Sequence, residues 1–171
     1  PCGTCAACRR GLTSYCLYAH ERTIGHTEKL AGGYADYLWL PDADSTLVHL
    51  PEGVSLAEGS LTEPLWTPLQ AIRSSRFKPG DTVAVLGAGP IGLGMIQFLR
   101  LGGAGSILCT EISPLRVEVA RKIGADVVLD PAEDSKRLQG TAVDMGGGLG
   151  VDIVFECSGV PAAFRQAFEL V

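Results

Sequence analysis

The feature that most constrains this chain is a glycine turn, Gly87-Ala88-Gly89-Pro90-Ile91-Gly92, set between two apolar runs. The G-x-G-x-x-G spacing alone is a weak signal, because glycine-rich turns are common. Its flanks make it specific. TVAVLG before it predicts a short buried strand, and the run from Pro90 to about Leu101 predicts a helix that stops at Gly102-Gly103. In such a turn Gly87 permits the tight reversal, Gly89 lets the backbone approach a pyrophosphate, and Gly92 lets the helix lie close on the strand. The helix N-terminus then offers free N–H groups and a positive dipole end to the anion. An acidic residue is expected roughly twenty positions on, at the end of the next strand. Glu111 stands there, directly after SILCT. Its carboxylate would accept hydrogen bonds from ribose hydroxyls and repel a 2′-phosphate, which favours NAD over NADP. Arg116, at the start of the following helix, could reach the same ribose. An Arg is also how NADP is accommodated, so it softens that preference. The competing readings are a turn without a ligand and, for Glu111 and Arg116, solvated charges.

The rest of the chain organises around this unit. Ser113 and Pro114 predict a helix start, Leu115, Val119 and Ile123 its buried stripe, and Gly124 its end. DVVLD and VDIVFE predict two more strands, and a helix begins at Pro161. Residues 133–150 carry no assignable pattern. Strands alternating with helices predict an α/β fold with a parallel sheet. Upstream, residues 32–50 alternate around a PDAD turn and predict two short strands, and residues 54–77 predict a helix disturbed by Pro64 and Pro68. KPGD, from Lys78, predicts the domain boundary.

Residues 1–16 hold too few apolar side chains for a core but four cysteines, Cys2, Cys5, Cys8 and Cys16, spaced C-x2-C-x2-C-x7-C. Four thiolates suit tetrahedral Zn2+, and a closed shell of four leaves no open position, so such a site is structural. Arg9 and Arg10 would offset its net negative charge. An iron–sulfur cluster is disfavoured, since its bacterial pattern brings the fourth Cys after three residues and before Pro. Disulfides are disfavoured without a secretory context. Cys109 and Cys157 lie singly in apolar runs and read as small buried hydrophobes.

Composition removes other classes. Charged residues make up 19% of the 171, with a net charge of −5 and no basic stripe, which argues against a nucleic-acid partner. The longest uncharged stretch, Thr82 to Leu99, is punctuated by five Gly or Pro residues and reads as strand, turn and helix, not as a membrane span. No secretory leader opens the chain, and a cytoplasmic location is expected. It starts at Pro1 and stops at Val171 inside a helical pattern, so it reads as an internal piece of a longer protein.

Together these motifs resemble the zinc-dependent medium-chain alcohol and polyol dehydrogenases, in order and over essentially the whole chain. CGTCAACRRGLTSYC looks like that family's structural-zinc lobe, GGYADYLWLP like the strand after it, LPEGVSLAEGSLTEPL like the approach to its central helix, and the run from VAVLGAGPIG to IGADVV like its cofactor segment. The resemblance implies that 1–77 is part of a GroES-like catalytic domain and 78–171 a partial, NAD-binding Rossmann domain. It implies reversible NAD(P)-linked oxidation of a small-molecule alcohol, with a second, catalytic zinc. In that family a Cys and a His-Glu pair before the cysteine lobe mainly hold that zinc, and none of these lies in this chain. Glu63, in TEPL, takes the remaining position as a zinc ligand or the partner of zinc-bound water. A Glu there, and not Cys, points to the polyol, threonine and sugar branch. Without the resemblance, Glu63 reads as a helix-start carboxylate. By the same resemblance Thr67 lies near the nicotinamide, Ile91 covers the pyrophosphate turn, and Cys157, Ser158 and Gly159 line the cofactor site after the fourth strand. Glu111 departs from the more usual Asp. A homodimer or homotetramer is implied for the full-length protein. His20, His26 and His49 match no metal position. The alternative function is a non-catalytic NAD-sensing module with a structural zinc lobe.

Overall fold

The computed structural model describes residues 1–28, 30–40, 43–132 and 135–171. They form two compact units, Pro1–Glu52 and Gly53–Val171.

In the first unit the helical turn α1 (Ala6–Arg9) and two 3₁₀ turns, Thr13–Tyr15 and His20–Arg22, wrap the cysteine segment. A short helix, α2 (Ala43–Thr46), follows later. Among the described residues of this unit the buried apolar ones are Cys5, Cys16 and Leu30. The two strands expected in 32–50 do not form among the described residues, where the one extended pairing in this unit is an isolated Thr27–Leu30 bridge. Pro41 and Asp42 of the expected turn lie outside the described residues. Alternation predicts a strand only where one face is buried. Here Tyr34, Tyr37 and Trp39 are all exposed.

The second unit is built around a four-stranded parallel sheet. Its elements run α3 (Leu56–Gly59), α4 (Thr62–Ser74), β1 (Thr82–Leu86), α5 (Pro90–Leu101), β2 (Ser106–Thr110), α6 (Pro114–Lys122), β3 (Val127–Leu129), α7 (Ser135–Met145), β4 (Ile153–Glu156) and α8 (Pro161–Ala167). The strand order is β3-β2-β1-β4. Period-two alternation sends Val83 and Val85 to one face with Met95, Ile96 and Leu99 of α5 and Ala120 of α6. Ala84 and Leu86 face the opposite layer, with Leu138 and Ala142 of α7. This is the α/β, Rossmann-type sheet expected from the sequence.

Two expectations change. The helix expected over 54–77 is two helices, because Ser55 and Glu58 close a capping box on a first, single turn. The two compact units divide after Glu52, and α4 goes with the sheet, packed on α5: a Cβ at Gly94 would stand 2.8 Å from Leu65. The stripe of α6 also differs. Leu115 is 70% exposed, while Val117 and Ala120 pack inward alongside Ile123. Among the described residues no helix is long and apolar enough to cross a membrane.

Candidate metal centre and dinucleotide cleft

The ligand atoms of Cys2, Cys5, Cys8 and Cys16 lie within 4.8 Å of one another, and no disulfide joins them. Local turns aim donors at the sulfurs. The Thr4 hydroxyl and the Cys5 N–H donate to Cys2 Sγ at 3.4 and 3.3 Å. The Cys8 N–H donates to Cys5 Sγ at 3.5 Å, and the Cys2 N–H to Cys16 Sγ at 3.3 Å. Such bonds favour thiolate over thiol. The Thr4 hydroxyl, with backbone help, brings the Cys2 thiol down to about 5. The Cys8 N–H lowers Cys5, and desolvation pushes Cys8 up. Four soft donors converging on one point fit a structural zinc.

The glycine turn sits at the carboxyl edge of the sheet, between β1 and α5. Gly87 has φ +97°, and a Cβ there would stand 2.9 Å from the Ser158 Cβ. A Cβ at Gly92 would fall 1.9 Å from the Gly87 carbonyl oxygen, so the helix can approach the strand only without a side chain. Beside Gly89 the space is open. Pro90 occupies the first helical position, and Ile91 follows it.

A cleft of about 510 Å³ opens beside this turn. It brings together Gly87, Gly89, Glu111, Arg116, Cys157 and Ser158 among its lining residues. Gly159 continues the same turn, while Glu63, Thr67, Pro90, Ile91 and Gly92 are not on the lining. Glu63 and Thr67 are exposed on α4, one turn apart. Cys109 and Cys157 match the buried-hydrophobe reading in part. Cys109 is fully buried and pushed up to about 12 by desolvation, whereas Cys157 is half-buried on the cleft and pushed up to about 11.

Glu111 is more deeply built in than its sequence position suggests. Its side chain is 4% exposed. Oε1 accepts from the Ile112 and Ser113 N–H groups at 2.9 and 2.8 Å and from Arg116 at 2.8 Å. Oε2 accepts from the Ala88 N–H at 3.0 Å. The Arg116 bond, aided by these N–H groups, holds the carboxyl down at about 2, and the same bond raises Arg116. Glu111 therefore clamps the glycine turn to the end of β2, with Oε2 the less occupied oxygen. Ser113 stands at the N-cap of α6, yet its side chain makes no cap bond, and its N–H serves Glu111 instead.

Sequence reasoning missed two contributors to the cleft. One is the Ala88 N–H bond to Glu111. The other is Glu156, whose carboxylate organises the turn after β4. The signal for the second was available, as an acidic residue at a strand end two positions before Ser-Gly.

Comparison with known proteins accords with this geometry. The zinc-binding dehydrogenase family matches residues 90–171. The chain is 40% identical over 138 residues to (R,R)-butanediol dehydrogenase of Bacillus subtilis, covering 81% of this chain and 38% of that protein. It is 35% identical over 173 residues to sorbitol dehydrogenase of Halalkalibacterium halodurans, covering 99% and 48%. The solved alcohol dehydrogenase TADH from Thermus sp. ATN1 superposes with a TM-score of 0.83 at 31% identity, covering 99% of this chain and 49% of that one. The chain thus belongs to the zinc-binding, medium-chain alcohol dehydrogenase family. It spans less than half the length of the curated relatives named here.

Proposed function

We propose that the full-length protein is a zinc-dependent oxidoreductase that moves a hydride between an alcohol or polyol, with a secondary alcohol favoured, and NAD. One observation carries this reading: a four-thiolate lobe and a strand–glycine turn–helix unit with an acid at the next strand end stand in one chain. Relatives described as butanediol and sorbitol dehydrogenases support the substrate class.

In this reading Gly87, Gly89 and the start of α5 receive the pyrophosphate, with Pro90, Ile91 and Gly92 shaping the turn. Glu111 takes a ribose hydroxyl at Oε2, while Oε1 stays engaged with Arg116. Thr67 approaches the nicotinamide. Cys157, Ser158 and Gly159 form the opposite wall. Cys2, Cys5, Cys8 and Cys16 hold the structural zinc. Glu63 serves at a catalytic zinc whose other ligands come from outside this chain. Hydride acceptance is what a bound nicotinamide supplies, and polarisation of the alcohol oxygen what a catalytic zinc supplies.

The test is to load the full-length protein with zinc and follow NADH formation from 2,3-butanediol and from sorbitol. Turnover of either supports the reading. Tight NAD binding with no turnover of any alcohol at full zinc content would identify a sensing module instead. In the same protein, Glu63→Ala should lower turnover far more than NAD affinity.

A further inference from the structure

Glu156 is the last residue of β4, paired with Leu86 of β1 at the carboxyl edge of the sheet. Its Oε1 accepts from three donors of the turn that follows: the Ser158 N–H at 2.7 Å, the Ser158 hydroxyl at 2.5 Å and the Gly159 N–H at 3.0 Å. Oε2 receives a longer contact, from the Gly159 N–H at 3.2 Å. Ser158 Oγ in turn accepts the Val160 N–H at 3.1 Å, at the N-cap of α8. Successive N–H groups converging on an anion form a nest, and here the chain's own carboxylate fills it. Gly159, at φ +69°, supplies the left-handed residue the turn needs. The turn is then pressed against the glycine turn, with the Ser158 N and Cα about 3.1 Å from the position a Gly87 Cβ would take.

The geometry points to Glu156 as a positioning residue: its carboxylate folds residues 157–160 into the wall that faces Gly87 across the cleft. This rests on the reading of that cleft as the dinucleotide site. The role belongs to the acceptor oxygen and not to the charge, because nearly all donors meet at Oε1. A glutamine presents one carbonyl oxygen in the same place and should satisfy them. An alanine leaves the Ser158 and Gly159 N–H groups without their acceptor.

Two readouts in the full-length protein separate this role from general damage and from the cofactor reading. The first is NAD affinity. Glu156→Ala should weaken it about tenfold, the scale of losing one or two ordered hydrogen bonds in the wall. Glu156→Gln should restore most of it, and kcat at saturating NAD should change little in either. The second needs no cofactor. Cys157 sits half-buried inside this turn, so its alkylation by a small maleimide, read residue by residue by mass spectrometry, reports wall order. Desolvation and the neighbouring Glu156 charge both hold the Cys157 thiol up, so losing the charge speeds labelling somewhat in either variant, and Glu156→Ala should speed it several-fold more than Glu156→Gln. Equal effects of Ala and Gln would overturn the proposal in favour of charge. No effect of Ala on either readout would overturn it outright. If the labelling pattern holds while the parent protein binds no NAD, the turn-ordering role stands and the dinucleotide reading falls.

Discussion

The two compact units solve the problem of stability by different means. Gly53–Val171 buries apolar side chains on both faces of its sheet, from Val83, Val85 and Leu99 on one side to Leu86, Leu108 and Leu138 on the other. Among its described residues Pro1–Glu52 buries little apolar surface beyond Cys5, Cys16 and Leu30, and leaves Tyr34, Tyr37 and Trp39 exposed. A unit of that size with so small an apolar interior needs a staple. The four convergent sulfurs would provide one with a metal ion bound. With zinc in that cluster the first unit would be held by chelation, whereas the second is held by packing, so conditions that break one should spare the other.

The largest effect should come from metal removal. Structural zinc contributes about 10–16 kcal/mol of apparent binding free energy in zinc-finger peptides, and that binding energy is folding energy. Treating the zinc-loaded protein with a strong chelator should abolish amide-exchange protection within residues 1–52. Protection of β1, β2 and α5 should stay. Metal analysis of the isolated chain should find one zinc, since Glu63 alone cannot hold a second. Persistent protection of 1–52 without metal would break the contrast.

The converse perturbation is Leu99→Ala. Leu99 is fully buried between α5 and the sheet. Truncation should cost about 2–5 kcal/mol, as for other large core deletions. Thermal unfolding of the sheet unit should shift down while zinc content is unchanged. A loss of zinc in this variant would show that the units are energetically coupled.

Glu111→Ala probes the site and the fold together. The carboxylate's bonds to a ribose should contribute roughly 1.5–3 kcal/mol, so NAD binding should weaken roughly ten- to a hundredfold. Arg116, freed from its 2.8 Å bond, should then raise NADP affinity. Equal losses for both cofactors would assign Glu111 to the fold alone. The acid limb of stability sharpens the distinction. Its folded-state value is depressed to about 2, below the ordinary 4.5, by the Arg116 bond and the turn N–H groups. The stability it contributes is therefore complete above about 4.5 and lost as pH falls towards about 2. Glu111→Gln should flatten that part of the profile, and the cysteine unit should show no share in the difference.

How much was legible follows the same division. The sheet unit's β1, glycine turn, α5 and β2 were readable because their signals are local: β-branched runs, Gly at fixed offsets, Pro at helix starts. The cysteine cluster was readable because thiolate spacing is itself the constraint. The strands expected in 32–50 were not, because alternation predicts pairing only when a partner and a buried face exist. Helix α7 lay in a segment whose polar and glycine residues masked Leu138 and Ala142, the pair that anchors it to the sheet. Glu111's clamp on Ala88 and Glu156's hold on Ser158 depend on where backbone N–H groups point, which spacing does not encode.

The smallest expected effect tests that last distinction on α6. Periodicity alone nominates Leu115, Val119 and Ile123 as its buried stripe. Ile123 does pack inward, but with Val117 and Ala120 as its companions, while Leu115 is 70% exposed. The reason is geometric. Glu111 holds the Ile112 and Ser113 N–H groups and Arg116, so the side of the first turn that bears Arg116 faces the sheet edge, and Ala120 lies one turn further along that side. Leu115→Ala should therefore change unfolding free energy by about 0.5 kcal/mol or less, as at other exposed positions. Val117→Ala should cost more, since Val117 is partly buried against the core cluster beneath α6. Paired denaturant titrations of the two variants decide it. If Leu115→Ala proves the costlier, the helix sits rotated from the orientation described here, and the carboxylate does not set it.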